Sequence, residues 1–204
     1  MIVKKLLPLK MATMTSLPLA VTLVSSIGKD NKPNIMVVTY VTGVNEEPPM
    51  FGVAIRPQKH SNSLIRFSRE FVINIPTLKL LKEIDYCGTH TGRSVQKFDQ
   101  LGLTPVKASK VEASLIAECP INIECKLRRI VKLPSHDFFI GAAVALHADK
   151  KLVAGRKNKY GVLLPKFNQL DFVLATFLDY RVIGGRKGTA FQEHKKLNIG
   201  GICR

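Results

Sequence analysis

Apolar and polar positions alternate in short runs along most of this chain, and Gly, Pro and Asn clusters cut the runs at the spacing of antiparallel strands and tight turns. Residues Leu19 to Ser25 alternate and are β-branched. After a turn at Gly28-Lys29-Asp30-Asn31-Lys32-Pro33, a second run from about Ile35 to Val41 completes a hairpin. A third strand, Met50 to Ile55, follows Glu46-Glu47-Pro48-Pro49, and a fourth, Phe71 to Ile75, ends at Pro76. Between them the spacing of Leu64, Ile65 and Ser68 changes to that of a helix, predicted from about Ser61 to Arg69. Shorter helical patterns at Leu78 to Ile84 and Ser94 to Leu101 read as a covering segment. Ala117, Cys119, Ile121, Ile123, Cys125 and Leu127 then mark one face of a long strand, with Glu118, Asn122, Glu124, Lys126 and Arg128 on the other. Phe138 to Leu146 is a further apolar strand, and Gly141 inside it signals a bulge or a close backbone approach.

Many strands, few helices and long hairpin partners predict a mainly β fold, an antiparallel barrel rather than a parallel α/β sheet. No GxGxxG follows the first strand, which disfavours a doubly wound dinucleotide fold. The barrel domain is placed at residues 17–183, preceded by an N-terminal extension over 1–16. After Tyr160 only short apolar pieces remain, Gly161 to Leu164 and Phe172 to Phe177, and a Gly- and Lys-rich tail occupies 184–204. Gly184-Gly185 and Gly200-Gly201 read as flexible turns, since neither precedes a Lys-Ser/Thr pair.

Charge adds a partner to this picture. The 31 Lys and Arg against 15 Asp and Glu leave a formal net charge of +16, which points to an anionic ligand. The basic residues are scattered in short clusters such as Lys126-Leu127-Arg128-Arg129, with no basic arm, so a nucleic-acid-binding barrel is the weaker alternative. Cys87, Cys119, Cys125 and Cys203 form no CxxC pair, and no metal site is expected. The N-terminus lacks the uninterrupted apolar stretch of a signal peptide or membrane span, so a cytoplasmic protein with reduced thiols is expected.

The densest chemistry lies in Arg56-Pro57-Gln58-Lys59-His60-Ser61, between a strand and a helix. With Ser61 placed as the helix cap, its hydroxyl, the first free amides and the Arg56 and Lys59 side chains would converge on one anion. A solvated basic turn closing a strand–helix connection is the competing reading. His136, just before an apolar strand, is either a proton-handling group near neutral pH or a satisfied loop histidine.

These segments stand in a recognisable order: Pro18, Val21 to Ser26, Pro48-Pro49, Arg56 to Ser61, Phe71-Val72-Ile73-Asn74-Ile75-Pro76, Gly92-Arg93-Ser94 with Lys97-Phe98, Glu118-Cys119-Pro120, and His136-Asp137-Phe138-Phe139-Ile140-Gly141. From about Leu17 to Leu146 the chain resembles the flavin reductase-like FMN-binding split barrels, closest to the flavoredoxin and ferric reductase-like subgroup. Two positions depart from the family: Gln96 where an acidic residue is frequent, and Tyr40 where Trp is frequent. The resemblance implies a Greek-key split β-barrel binding FMN, as a homodimer with no membrane association. Thr39, Tyr40 and Val41 would lie along the isoalloxazine, and Gly92, Lys97 and Phe98 would approach from the covering segment. Arg56, Lys59, His60 and Ser61 would hold the phosphate, with His136 as the catalytic candidate and Cys87 or Cys119 near the flavin. The activity implied is electron transfer from NADH or NADPH through FMN to a ferric chelate, a flavin or a redox-protein partner. An FMN electron carrier without nicotinamide activity is the alternative.

Overall fold

The computed structural model describes residues 17–157, 163–165, 170–176 and 179–182, together with Leu6, Pro8, Leu9 and Ala12. Most of the extension over 1–16, the tail over 184–204 and Cys203 lie outside the described residues.

The first alternating runs form the expected hairpin. Strand β1 (Leu19–Ala20) leads into β2 (Thr22–Ile27), which pairs antiparallel with β3 (Pro33–Val38), Thr22 lying opposite Val38 and Ile27 opposite Pro33. Asn31 takes a left-handed φ of 55° in the turn, a conformation Asn tolerates. Next come β4 (Val41–Asn45), β5 (Met50–Ile55), helix α1 (His60–Ser68) and β6 (Glu70–Ile75). The covering segment holds a 3-10 turn (Leu78–Leu80), α2 (Leu81–Thr89) and α3 (Lys97–Leu101). A small hairpin of β7 (Pro105–Val106) and β8 (Leu115–Ile116) precedes two long strands, β9 (Ile121–Lys132) and β10 (Asp137–Ala148). The later strands are β11 (Val153–Lys157), β12 (Leu163–Pro165), β13 (Val173–Thr176) and β14 (Asp179–Val182); β13 pairs with β1 and β14.

Seven of these strands make one antiparallel sheet in the order β3-β2-β6-β9-β10-β5-β4. Its two edge strands, β3 and β4, are neighbours in the chain, joined only by Thr39 and Tyr40. A flat seven-stranded sheet would hold its edges about 30 Å apart, whereas this link spans roughly 10 Å between flanking Cα atoms. The sheet must therefore curl until its edges approach. Tyr40 O accepts the Ala54 N–H at 2.9 Å, which ties the link to β5. A split barrel follows from connectivity alone.

Inside the curl Val24, Val53, Ile55, Phe71 and Phe139 pack with Ile65 of α1, all of them fully buried. Each contributes roughly 1.5–3 kcal/mol by leaving water. The Gly141 signal has both of its expected causes. A Cβ there would lie 2.6 Å from the Phe71 ring, and the β9–β10 register shifts between Ile140 and Gly141.

Two expectations are corrected: the second run ends at Val38, with Val41 opening the separate strand β4, and the long strand starts later than read. The long strand begins at Ile121 rather than Ala117, because Cys119 donates its N–H to Ile116 O in a turn and Pro120 has no N–H for a ladder. Its polar face is also buried at the start: the segment over 105–116 lies across Asn122 and Glu124. Asn122 Nδ2 donates to Asn74 Oδ1 at 2.8 Å. Glu124, fully buried, accepts the Ser109 N–H and Oγ–H at 2.8 Å and the Lys110 N–H at 2.6 Å. Burial pushes its pKa up, but these bonds and the one from His147 outweigh it and hold the carboxyl at about 2. Among the described residues no helix is long and apolar enough to cross a membrane.

Candidate functional site

Where the sheet edges approach without fully pairing, a cleft of about 460 Å³ opens between the end of β3 and the end of β5. Val37, Thr39 and Tyr40 form one wall, Ala54, Ile55 and Arg56 the other, and Ser135 and His136 close one end. As the edge strand, β3 offers this cleft alternate backbone groups with no ladder partner. Ile35 O already bonds outside the sheet, so Val37, two residues on, presents its N–H and C=O on the same side. A second cleft of about 190 Å³ adjoins the first and shares Met36, Val37 and Lys59 with it. Its inner wall is Asn34, His60, Ser61, Gly92 and Lys97.

The sequence cluster Arg56 to Ser61 is thus divided. Arg56 lines the first cleft, His60 and Ser61 the second, and Lys59 both. Ser61 is not the helix cap. The helix starts at His60 with Lys59 as its N-cap and no side-chain cap bond. Ser61 is buried within the first turn, where its Oγ accepts from Asn34 Nδ2 at 2.7 Å. The first amides of α1 still lack partners within the helix. Gly92 is required by this contact, because a Cβ on it would fall 1.8 Å from Asn34 Oδ1.

Lys97, expected to approach from the covering segment, lines the second cleft. It is 4% exposed, and its Nζ donates to Ile35 O at 2.9 Å and Cys87 O at 3.0 Å, with no carboxylate paired to it among the described residues. Burial lowers its pKa from the ordinary 10.5; the nearby Cys87 works against this and Lys59 reinforces it. Two of three ammonium donors are used, and the third is available to the second cleft. Beside it His60 Nδ1 is the one buried side-chain nitrogen or oxygen among the described residues with no hydrogen-bond partner. Burial first, then Arg93, lower the His60 pKa; Asp30 pulls the other way, and Lys97 adds a lesser lowering.

His136 lies at the end of the first cleft, its Nδ1 2.8 Å from Ser135 Oγ and its ring edge-on to Tyr40 at 5.4 Å between centroids. Burial and then Arg56 lower its pKa, favouring the neutral imidazole. Behind the site, Asp137 Oδ2 accepts from Asn62 Nδ2 at 2.9 Å and Arg66 Nη2 at 2.7 Å, while Asn62 Nδ2 also donates to Ile55 O at 3.2 Å. Three anchors of this clamp adjoin cleft residues in the chain: Asn62 beside Ser61, Asp137 beside His136, and Ile55, itself in the first cleft, beside Arg56.

Thr39, Tyr40 and Gly92 therefore line the clefts. Val41 instead packs on the barrel core, and Phe98 is buried among Leu23, Ile35 and Ile84, lining neither cleft. Cys87 borders the second cleft, its thiol pushed up to about 11 by burial, while Cys119 is buried in the Phe98 cluster with its pKa raised further by burial. No cluster of His, Cys, Asp or Glu among the described residues could hold a metal ion.

A family model for the flavin reductase like domain matches residues 14–162. The chain belongs to this family. Flavoredoxin of Desulfovibrio vulgaris (Miyazaki F) superposes on this flavin reductase-like chain with a TM-score of 0.82 and 29% identity, covering 93% of this chain and 98% of that one. Flavoredoxin from Methanosarcina acetivorans gives a TM-score of 0.82 and 25% identity over 95% and 99%. An uncharacterized protein of Archaeoglobus fulgidus is 37% identical over 110 residues, 54% of this chain and 62% of that relative's length. Family and fold together support a flavin cofactor and oxidoreductase chemistry of the flavin type.

Proposed function

We propose that this protein binds FMN with its phosphate in the second cleft and its ring in the first, and that it is an NAD(P)H-dependent oxidoreductase. The observation that carries this reading is Lys97. An ammonium buried without a carboxylate is costly unless an anion completes it. His60, whose Nδ1 has no partner, and the first turn of α1 line the same cleft and add donors for a phosphate. No Asp or Glu lines either cleft, so nothing in the walls opposes a dianion.

The first cleft suits a flat ring with one polar edge. Tyr40 and Val37 give it apolar contact, and the free edge of β3 supplies backbone groups for the ring's polar atoms. Arg56 places positive charge along that cleft, which favours an anionic reduced cofactor and an anionic electron partner. His136, neutral near pH 7 and held at Nδ1 by Ser135, keeps Nε2 for moving a proton. FMN, when bound, supplies the capacity to take up two electrons and release them to a ferric chelate, a flavin or a protein acceptor. Both a homodimer and a redox-protein partner belong to the same proposal.

Absorbance of the purified protein mixed with FMN, and then with NADH or NADPH, tests the reading. Flavin bands that shift on binding and bleach with one nucleotide are expected. Absence of FMN binding sinks the cofactor assignment; binding without bleaching leaves the electron-carrier alternative.

A further inference from the structure

We propose that the outer end of the second cleft is an adenosine site, in which the ring of His90 is the surface an adenine stacks on. The Tyr86 and His90 rings are parallel, 3.8 Å between centroids with 7° between planes. Local bonds fix the imidazole: its Nδ1 lies 3.0 Å from Thr89 Oγ1 and 3.3 Å from Tyr86 O, and the His90 N–H donates to Tyr86 O at 3.0 Å. His90 lines the cleft and Tyr86 does not. Tyr86 thus covers one face of the imidazole, and the face it leaves open is available to the cleft. A flat ring, exposed and held rigid at the mouth of a phosphate cleft, is the kind of platform on which a base stacks.

The charge pattern beside the ring supports a nucleotide rather than a bare aromatic. Arg93 follows three residues later and is anchored through Nη1 to Gln58 O at 3.2 Å, which holds its cation on the rim next to His60. A second phosphate, placed between the one at Lys97 and a base on His90, would meet Arg93. The chemistry recognised is an adenylate joined by a pyrophosphate to whatever fills the inner clefts. It rests on the flavin reading above and has two sources: the adenylate half of FAD bound in place of FMN, or that of a nicotinamide dinucleotide entering beside FMN.

The test titrates the apoprotein with FMN and FAD, and the FMN-loaded protein with ADP-ribose, following flavin fluorescence and calorimetric heat. FAD binding at least about tenfold tighter than FMN, the worth of one base stack, assigns the platform to the flavin dinucleotide. Binding of ADP-ribose to the FMN-loaded protein assigns it to the nicotinamide dinucleotide. Either gain is expected to vanish in His90→Ala, return in His90→Phe, and leave FMN affinity unchanged. Absence of both gains, or an equal loss of FMN and FAD affinity in His90→Ala, overturns the proposal. If FMN itself fails to bind, the flavin reading falls separately. ADP-ribose and the apoprotein then decide the platform, which stands if binding is lost in His90→Ala and falls if there is none.

Discussion

Lys97 is a charge the fold hides and does not neutralise, and this gives it two measurable signatures. Burial holds its pKa below 10.5, so over the interval up to 10.5 the unfolded chain carries more protons than the folded one. Stability of the empty protein must then rise with pH across that interval. Urea midpoints taken at increasing pH should show the rise, and Lys97→Met should remove it while weakening FMN at least about tenfold, the value of a charge-assisted hydrogen bond. His136→Ala should retain FMN and lower turnover by roughly 10²-fold, as loss of a proton-transferring group does. Wild-type turnover in steady-state assays of that variant would return His136 to a packing role. Of these residues the types and order were legible beforehand, and the burial was not. Arg56, Lys59, His60 and His136 announce themselves by type and order, but whether a lysine at position 97 is buried depends on β3 and α2, which reach it from distant parts of the chain. Ser61 was misplaced by two positions for a similar reason: Asn34 on β3 captures the hydroxyl that local rules assign to a cap.

Among elements, α1 matters less for its own propensity than for what it is bolted to. The Asp137–Asn62–Arg66 clamp joins its first turn to the end of β5 and the start of β10, with Arg66 also lying 5.6 Å over the Phe139 ring. Asp137→Ala should cost about 2 kcal/mol in urea denaturation, and because three cleft residues adjoin the clamp it should weaken FMN as well. A loss of stability with unchanged FMN titration would confine the clamp to folding. The segment over 105–116 depends on Glu124 in the same way. That carboxyl titrates at about 2 instead of its ordinary 4.5, so its contribution is complete above 4.5 and is lost as pH falls from there toward 2. Glu124→Gln should lower stability at neutral pH and flatten the acid limb, as circular dichroism against pH would show. Alternation along β9 was readable from the sequence. That its polar face would be roofed over was not, since the preceding segment folds back over the strand through bonds that no local period encodes.

At the scale of the whole molecule, strand positions and the hairpin were legible because each rests on a local period, and the Thr39–Tyr40 link could have predicted closure had the edge order been known. Strand order is a long-range property: β10 finds β5 across more than eighty intervening residues, Asp137 lying opposite Ile55. The seam between β3 and β5 has no ladder of its own: the main-chain bond beside it, Ala54 to Tyr40, extends the β4–β5 pairing, where other neighbours in the sheet share whole ladders. A ligand lying along that seam acts on time as well as on affinity. FMN bound as proposed would bridge edges that meet only once the curl is complete, so its contacts would be absent from the folding transition state. Stopped-flow traces should show an unfolding rate that drops as FMN is added and a refolding rate that does not change. The protein would then owe its lifetime under stress to its cofactor, with the empty form the one that opens.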